Sequence, residues 1–382
     1  MRKRGLFRTA TNLDNHAIND HIGEKTALLP DGTCAHPYML PNSKREYCTL
    51  AGRFDVGVHH VISGGPQSKK MYRDDLANLI GSTFFQQYFS HIKDGPDSLS
   101  SVGAISKVFA SEQYKAVSEK FCPSPKKNHQ EMMALTVLLP GSELAVHYDN
   151  PYFMEFSRES TPVWLLVALR QSGVINENEV PQIQGVAYIH GNETNPYVDG
   201  GDFVFWPHGP KGEKYSFRAK HNSAIIVDGV KTAHGVETFR PNSKAFIANK
   251  DKATELRYKE GETWELFEDG KFIRTFDESE IRIGVVWRTL CLDDENQYET
   301  WRKTRNDKSS QDAVEILKKK LKEDGKPIPS DPVELAKSFV EAYVEYPFGD
   351  GIIPYNFCAL TEIIPQNFKS YAKMLLDPLC KI

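Results

Sequence analysis

The apolar positions of this chain change rhythm near Met132. Before that point, spacings of three and four residues dominate. In the stretch 71–92, Leu76, Leu79, Ile80, Phe84 and Phe85 would share one face of a helix. A second amphipathic helix is predicted over 108–121, where Pro123 and Pro125 stop it. GRFDVGVHHVISGG, 52–65, reads instead as a strand closed by a Gly-Gly turn, with His59 and His60 on opposite faces. Residues 1–48 show little periodicity and are expected to form an irregular arm.

From Met132 onward short β-like runs recur, separated by Gly, Pro and Asn. MMALTVLLP, ELAVHYD, PVWLLVALRQSG, IQGVAYIHGN, GGDFVFWPHGP and the run 224–227 are each expected to be strands. A hairpin turning at Asp269-Gly270 is predicted within an insertion over 246–276, and the strand EIRIGVVWRTLCL follows. Helices are predicted over 297–323, over 332–345 behind the cap Ser330-Asp331-Pro332, and over 365–376. Many short strands with no helices between them favour a closed or double-sheet β-architecture over a parallel α/β sheet.

At 382 residues, with 40% hydrophobic and 26% charged positions, the chain can bury a large core. A net charge of -4 offers nucleic acid no general attraction. The basic run 318–322 is framed by Leu317 and Leu321, as on the solvated face of a helix. No stretch approaches the roughly 20 apolar residues of a membrane span. The six cysteines form no CxxC pair and are expected to be reduced thiols, which makes the cytoplasm the default compartment.

The candidate chemistry lies in PGSELAVHYDNP and DGVKTAHGVE. His147 and Asp149 are two apart, so on a strand they face the same way, about 7 Å apart along the chain. His234 is the best candidate for a third ligand. Two imidazoles and one carboxylate on one face of an octahedron leave positions open, as in non-haem Fe(II) oxygenases. The triplet His129-Gln130-Glu131 fits the same short pattern without comparable surroundings, and shows how little the triplet says alone.

The ordered set LLPGSELAVHYDNP, GGDFVFWP, NSAIIVDGVKTAHGVE and EIRIGVVWR resembles the core of the Fe(II)/2-oxoglutarate-dependent dioxygenases, with the texture of their prolyl-4-hydroxylase-like branch. The resemblance covers 132–292. It implies a mainly β fold with helical additions (α+β), a double-stranded β-helix of jelly-roll or cupin type packed by N- and C-terminal helices. The expected division is an arm with helices over 1–131, a catalytic core over 132–295 and a helical extension over 296–382, forming one compact unit.

The resemblance further implies His147, Asp149 and His234 as ligands of Fe(II), with 2-oxoglutarate and O2 as co-substrates. A basic residue after the distal histidine would hold the far carboxylate of 2-oxoglutarate. Arg282 is the choice, since a guanidinium can grip a carboxylate with two parallel hydrogen bonds, and Arg288, on the same strand face, is its rival. The 48 residues from His234 to Arg282 far exceed the family's usual gap, and the insertion that explains them would form a lid. Gly284 stands where the family carries a hydroxyl-bearing residue. Tyr148, Asn150 and Tyr152 flank the ligands as candidate substrate contacts.

The implied function is oxidation of a C–H bond of a small, amino-acid-like or polar metabolite, by hydroxylation, desaturation or cyclisation, with release of succinate and CO2. Its partner would be that small molecule, with no nucleic acid and no membrane; the oligomeric state is open. The alternatives are a protein prolyl or lysyl hydroxylase, and a jelly-roll binding module without activity.

Overall fold

Strands rich in β-branched and aromatic residues build most of this molecule. The computed structural model describes residues 6–11, 26–32, 34, 39–41, 46–63, 82–90, 107, 111–123, 125–190, 199–243, 246, 252–261, 263–347, 368 and 371. The N-terminal part supplies β1 (Leu6–Thr11), β2 (Met39–Pro41), β3 (Cys48–Leu50), α1 (Phe54–Ser63), β4 (Ser82–Ser90) and α2 (Glu112–Glu119). The central part runs through β5 (Lys127–Leu138), β6 (Leu144–His147), β7 (Tyr152–Phe153), α3 (Val163–Ser172), β8 (Glu179–Val180) and β9 (Gln182–Tyr188). It continues with β10 (Phe203–Trp206), β11 (Tyr215–Phe217), β12 (Ser223–Val227) and β13 (Ala233–Val236). Then come β14 (Thr254–Lys259), β15 (Thr263–Glu268), β16 (Lys271–Asp277) and β17 (Arg282–Leu292), and finally α4 (Glu295–Thr304), α5 (Ser310–Glu323) and α6 (Pro332–Tyr343). The fold is thus mostly sheet with some helices.

Two sheets position the site. The larger has nine strands in the order β12-β9-β17-β5-β4-β1-β14-β15-β16, and the smaller has four, β11-β10-β13-β6. In the larger sheet, Arg288 pairs with Gln184, Val286 with Val186 and Gly284 with Tyr188 on β9, while Arg282 pairs with Leu138 on β5. Residues directly opposite share a face, so these side chains line one surface. That surface meets the smaller sheet: Leu138, Val186 and Tyr188 form a buried cluster with Phe203, Val236 and Phe239. Each such side chain contributes about 1.5–3 kcal/mol on burial. Val146, Tyr148, Val204 and Trp206, on the other face of the smaller sheet, pack with Val167 of α3 and with Tyr346. Beyond them α1, α3, α5 and α6 share a separate core that includes Phe54, Trp164, Leu165, Leu317 and Phe339.

The strand expected over 52–65 is α1. Phe54 and Val58, four apart, are both buried in the helical core, and Asp55 sits in the first turn, where a carboxylate suits the helix dipole. PVWLLVALRQSG, also expected as a strand, is α3, with every residue from Trp164 to Leu169 buried. An unbroken apolar run has no period to read, and here it is buried between the other helices and the outer face of the smaller sheet. Part of the helix expected over 71–92 falls outside the described residues, and its end is the strand β4. Phe85 and Phe89 share a face in either conformation, since four residues is nearly one helical turn and also an even strand step. Pairing with β5 decides for the strand.

The hairpin at Asp269-Gly270 is present, with both residues at positive φ, 47° and 72°. It is not a lid. β14, β15 and β16 extend the large sheet beyond β1, and Leu256, Trp264, Leu266 and Phe276 pack with Ile283, Val285 and Trp287. Those β17 residues alternate with Arg282, Gly284, Val286 and Arg288, so the insertion covers the back of the sheet. The stretch expected to be helical over 297–323 forms two helices, α4 and α5, broken at 305–309, and α6 follows as expected; Leu317 and Leu321 are buried beneath the basic run. The helix predicted over 365–376 lies outside the described residues apart from two positions.

The cysteines correct the sequence reading. Cys34 is bonded to Cys48, and Cys122 to Cys291; the second pair is separated by 169 residues, so only the tertiary fold brings it together. Cys358 and Cys380 lie outside the described residues. No helix among the described residues is long and apolar enough to cross a membrane.

Candidate metal centre

β6 and β13 are neighbours, and their register sets His234 directly opposite His147. The two imidazole rings lie 4.4 Å apart at their centroids. Asp149 follows the end of β6, where its N–H donates to the carbonyl of Gly229 at 2.9 Å. The closest approaches are 3.8 Å from His147 Nε2 to Asp149 Oδ1 and 3.6 Å from His234 Nε2 to Asp149 Oδ2. The three ligand atoms all fall within 4.8 Å of one another, the one such group among the described residues. His129 and Glu131 take no part: His129 stacks on Tyr298, and Glu131 accepts from the Tyr298 hydroxyl.

Both histidines are oriented for ligation. Nδ1 of His147 lies 2.8 Å from the carbonyl of Ala145, and Nδ1 of His234 lies 2.9 Å from the carbonyl of Thr232. A carbonyl only accepts, so each Nδ1 carries the proton and each Nε2 presents a lone pair to the centre. Burial pushes His147 down to about 3, helped by His234 and Arg53 and opposed by Asp149, so its ring is neutral, as a ligand must be. Burial alone would raise Asp149, but Arg288 first, then both histidines and Arg53, hold it below the usual carboxylate range.

Arg288 donates through Nη2 to Asp149 Oδ1 and through Nε to Gln184 Oε1 at 2.9 Å. Asp149 Oδ2 and His234 Nε2 are buried without any hydrogen-bond partner. Leaving such atoms unmade costs about 1–3 kcal/mol each, and a divalent cation would satisfy both. The donor set therefore fits the metal that the spacing implies.

Gly229 carries the fit further. A Cβ placed there would lie 2.1 Å from Asp149 Oδ2 and 2.8 Å from His234 Cε1. Gly229→Ala is expected to weaken metal affinity by about 10–100-fold, the range seen when a group orienting a ligand is disturbed. Calorimetric titration with Mn(II) checks this, and unchanged affinity would show that the ligands do not need the gap. Only the folded loop brings Gly229 over the carboxylate, and its place in DGVKTAHG gives no hint of that.

Arg282 is 4% exposed, and its Nε and Nη2 have no hydrogen-bond partner. It lies over the ring of Tyr188 at 4.8 Å, and the Tyr188 hydroxyl and His190 Nε2 are likewise buried and unpartnered. Burial lowers the Arg282 pKa, with Tyr188 and Asp202 opposing. These groups adjoin the inter-sheet cluster through Tyr188, and Phe203 of that cluster stacks on His234 at 5.3 Å. Thr136, on the adjacent strand, places its Oγ1 3.0 Å from where a Gly284 Cβ would stand and donates to the Gly284 carbonyl at 3.3 Å.

The flanking candidates divide. Tyr148 turns to the outer face of the smaller sheet, donating to the Glu345 carbonyl at 2.8 Å and packing on Tyr346. Tyr152 is buried against Trp301. Asn150 is buried with both ends of its amide unpartnered. His59 stacks on Tyr346 at 4.6 Å and does not belong to the ligand group. Sequence reasoning missed Arg53, whose charge bears on both His147 and Asp149.

No family model matches the chain, and no curated protein matches it. Solved structures do. An oxidoreductase of the 2OG-Fe(II) oxygenase family from Burkholderia pseudomallei is 13% identical over 49% of this chain and 55% of that one, with a TM-score of 0.27. The alignment thus spans about half of that protein. A prolyl-4-hydroxylase from Pseudomonas putida is 9% identical over 55% of this chain and 72% of that one, at TM-score 0.25. Prolyl 4-hydroxylase from Phytophthora capsici is 10% identical over 68% and 71%, at 0.29. The chain is similar to 2OG-Fe(II) oxygenases and prolyl hydroxylases. Overlays this loose carry no residue's role from one protein to another.

Proposed function

We propose that this chain is an Fe(II)- and 2-oxoglutarate-dependent oxygenase that oxidises a C–H bond of a small polar metabolite. The observation that carries the reading is the triad His147, Asp149 and His234, whose ligand atoms lie within 4.8 Å of one another. Two of those atoms, Asp149 Oδ2 and His234 Nε2, are buried with nothing to bond. When bound, iron with 2-oxoglutarate and O2 would supply the oxidising chemistry, releasing succinate and CO2.

The chain's own groups hold and orient. Ala145 and Thr232 carbonyls fix the imidazoles, and Arg288 with Gln184 fixes the Asp149 carboxylate. Arg282, with two unpartnered nitrogens, would take the far carboxylate of 2-oxoglutarate, since Arg288 is already committed to Asp149. The facing antiparallel sheets support a double-stranded β-helix as the architecture, with the terminal helices packed on it as one unit.

A small substrate is supported by the depth of the site, where His147 keeps 14% of its side-chain surface, Asp149 6% and His234 2%. We infer an oxidising compartment rather than the cytoplasm, because disulfides persist in such surroundings. We expect no nucleic-acid or membrane partner.

The test is titration of metal-free protein with Fe(II) under argon, followed by 2-oxoglutarate and then air. One bound iron per chain, 2-oxoglutarate binding only after the metal, and O2-dependent succinate formation are expected. His234→Ala should lose all three. Protein that binds no divalent metal would instead be a binding module without this chemistry.

A further inference from the structure

Two side-chain amides beside the ligand Asp149 are buried without the hydrogen bonds they need. Asn150 follows Asp149 directly and is 4% exposed; Gln182, on β9, is 5% exposed. Gln182 Nε2 donates to the Asn150 backbone carbonyl at 2.9 Å. A carbonyl only accepts, so this contact fixes which end of the Gln182 amide is nitrogen and leaves Oε1 as the end without a partner. Asn150 Oδ1 and Nδ2 have no partner either. Exchanging the two ends of that amide changes nothing, because it still offers one acceptor oxygen and one NH2 donor.

A closed ring of contacts ties these amides to the metal centre. Gln184 is two residues from Gln182 on β9, so both side chains stand on the face that carries Arg288. Gln184 Oε1 accepts from Arg288 Nε at 2.9 Å, and Arg288 Nη2 donates to Asp149 Oδ1. Asp149 leads by one peptide bond to Asn150, whose carbonyl returns to Gln182. The two charges in the ring, Arg288 and Asp149, are paired with each other. Leu290, opposite Gln182 on β17, packs with Tyr152, Val180 and Trp301 and closes the end of the row with apolar surface. In such surroundings unmade hydrogen bonds are costly, and three polar atoms left unpaired at one point mark a place that a polar ligand completes.

We propose that Asn150 and Gln182 are specificity-determining residues that bind a neutral primary carboxamide of the substrate. Two acceptor oxygens and one NH2 donor match such a group. Its two N–H bonds meet Gln182 Oε1 and Asn150 Oδ1, and its carbonyl accepts from Asn150 Nδ2. A carboxylate in the same place has no N–H to give and sets its negative oxygens against both acceptors. An ammonium group satisfies the two oxygens but leaves Asn150 Nδ2 unmet. The inference rests on the oxygenase reading, and it narrows the substrate to a small molecule with an uncharged amide.

The test uses full-length protein loaded with Mn(II) and saturated with 2-oxoglutarate. It is titrated calorimetrically with short primary amides, asparagine and glutamine among them. Each is run beside its carboxylic acid, its N,N-dimethylamide and the amine of the same length. At least one primary amide should bind about tenfold or more tighter than all three analogues, because each analogue leaves buried polar atoms of the site unpaired. Asn150→Leu, close to asparagine in shape, should reduce that ratio to about one. Gln182→Met, which leaves the Asn150 side chain in place, is the companion variant, with the same expected loss of preference. A preference for the primary amide that survives in either variant, or its absence in the wild-type protein, overturns the proposal. Failure of the wild-type protein to bind Mn(II) or 2-oxoglutarate overturns the oxygenase reading itself, a separate outcome read in the same experiment.

Discussion

Asp149→Ala is expected to lose the metal and to destabilise the metal-free protein by about 3–5 kcal/mol, the cost of breaking a buried ion pair from one side. The two effects have different causes. Metal is lost because one of three ligands disappears, which should exceed the roughly 10–100-fold penalty for disturbing a mere supporting group. Stability is lost because Arg288, 8% exposed, loses its carboxylate partner and keeps only neutral ones, Gln184 among them. A double variant, Asp149→Ala/Arg288→Met, separates them: stability should return while metal binding does not. Denaturant unfolding of metal-free samples and metal analysis of loaded ones give both readouts. Stoichiometric metal in Asp149→Ala would remove this carboxylate from the ligand set. A domain of ordinary stability, about 5–15 kcal/mol, has little room for such a loss, so the single variant should also express poorly.

Arg282→Met should act in opposite directions on folding and on binding. In the free protein the Arg282 guanidinium is buried with Nε and Nη2 unpaired, offset only in part by Tyr188 and Asp202. Replacing it with an apolar side chain of similar length is expected to raise stability, by about 1–4 kcal/mol if it follows other buried charges replaced by apolar groups. Co-substrate affinity should fall by roughly 2–5 kcal/mol, about thirtyfold or more, because the carboxylate would enter a buried site with no cation to meet it. Metal stoichiometry should not change. Arg282→Lys would keep the charge without the two-pronged geometry and should fall between. The checks are thermal unfolding without ligand and 2-oxoglutarate titration of Mn(II)-loaded protein. Unaltered 2-oxoglutarate affinity would move the anchor elsewhere.

How much of this could be read in advance depends on what kind of constraint each residue obeys. His147 and Asp149 were legible from their two-residue spacing, although only His147 is on the strand and Asp149, just past its end, is held by the Gly229 carbonyl. Arg282 and Arg288 were correctly placed on one face by parity, yet parity could not say which was free. The structure separates them: Arg288 reaches Asp149, and Arg282 is left with unpaired nitrogens. Of the two tyrosines chosen for adjacency to the ligands, Tyr148 packs on Tyr346, while Tyr152 packs on Trp301 and also lies against Arg288. Adjacent strand residues face opposite ways, so nearness in sequence argued against Tyr148 as much as for it.

The sequence by itself determined the strand-rich core, the Asp269-Gly270 turn, the capped C-terminal helices and the two short segments that hold the candidate ligands. All of these depend on contacts within a few residues, through backbone preference, period and turn chemistry. Only the tertiary structure decided that 163–172 is a helix, that the insertion backs the sheet, and that Cys122 meets Cys291. It alone placed Gly229 over Asp149, and locked Arg53 between Asp55 and Tyr346. Those outcomes turn on which surfaces meet across 80 to nearly 300 residues of chain, and burial, unlike periodicity, leaves no mark in a local window.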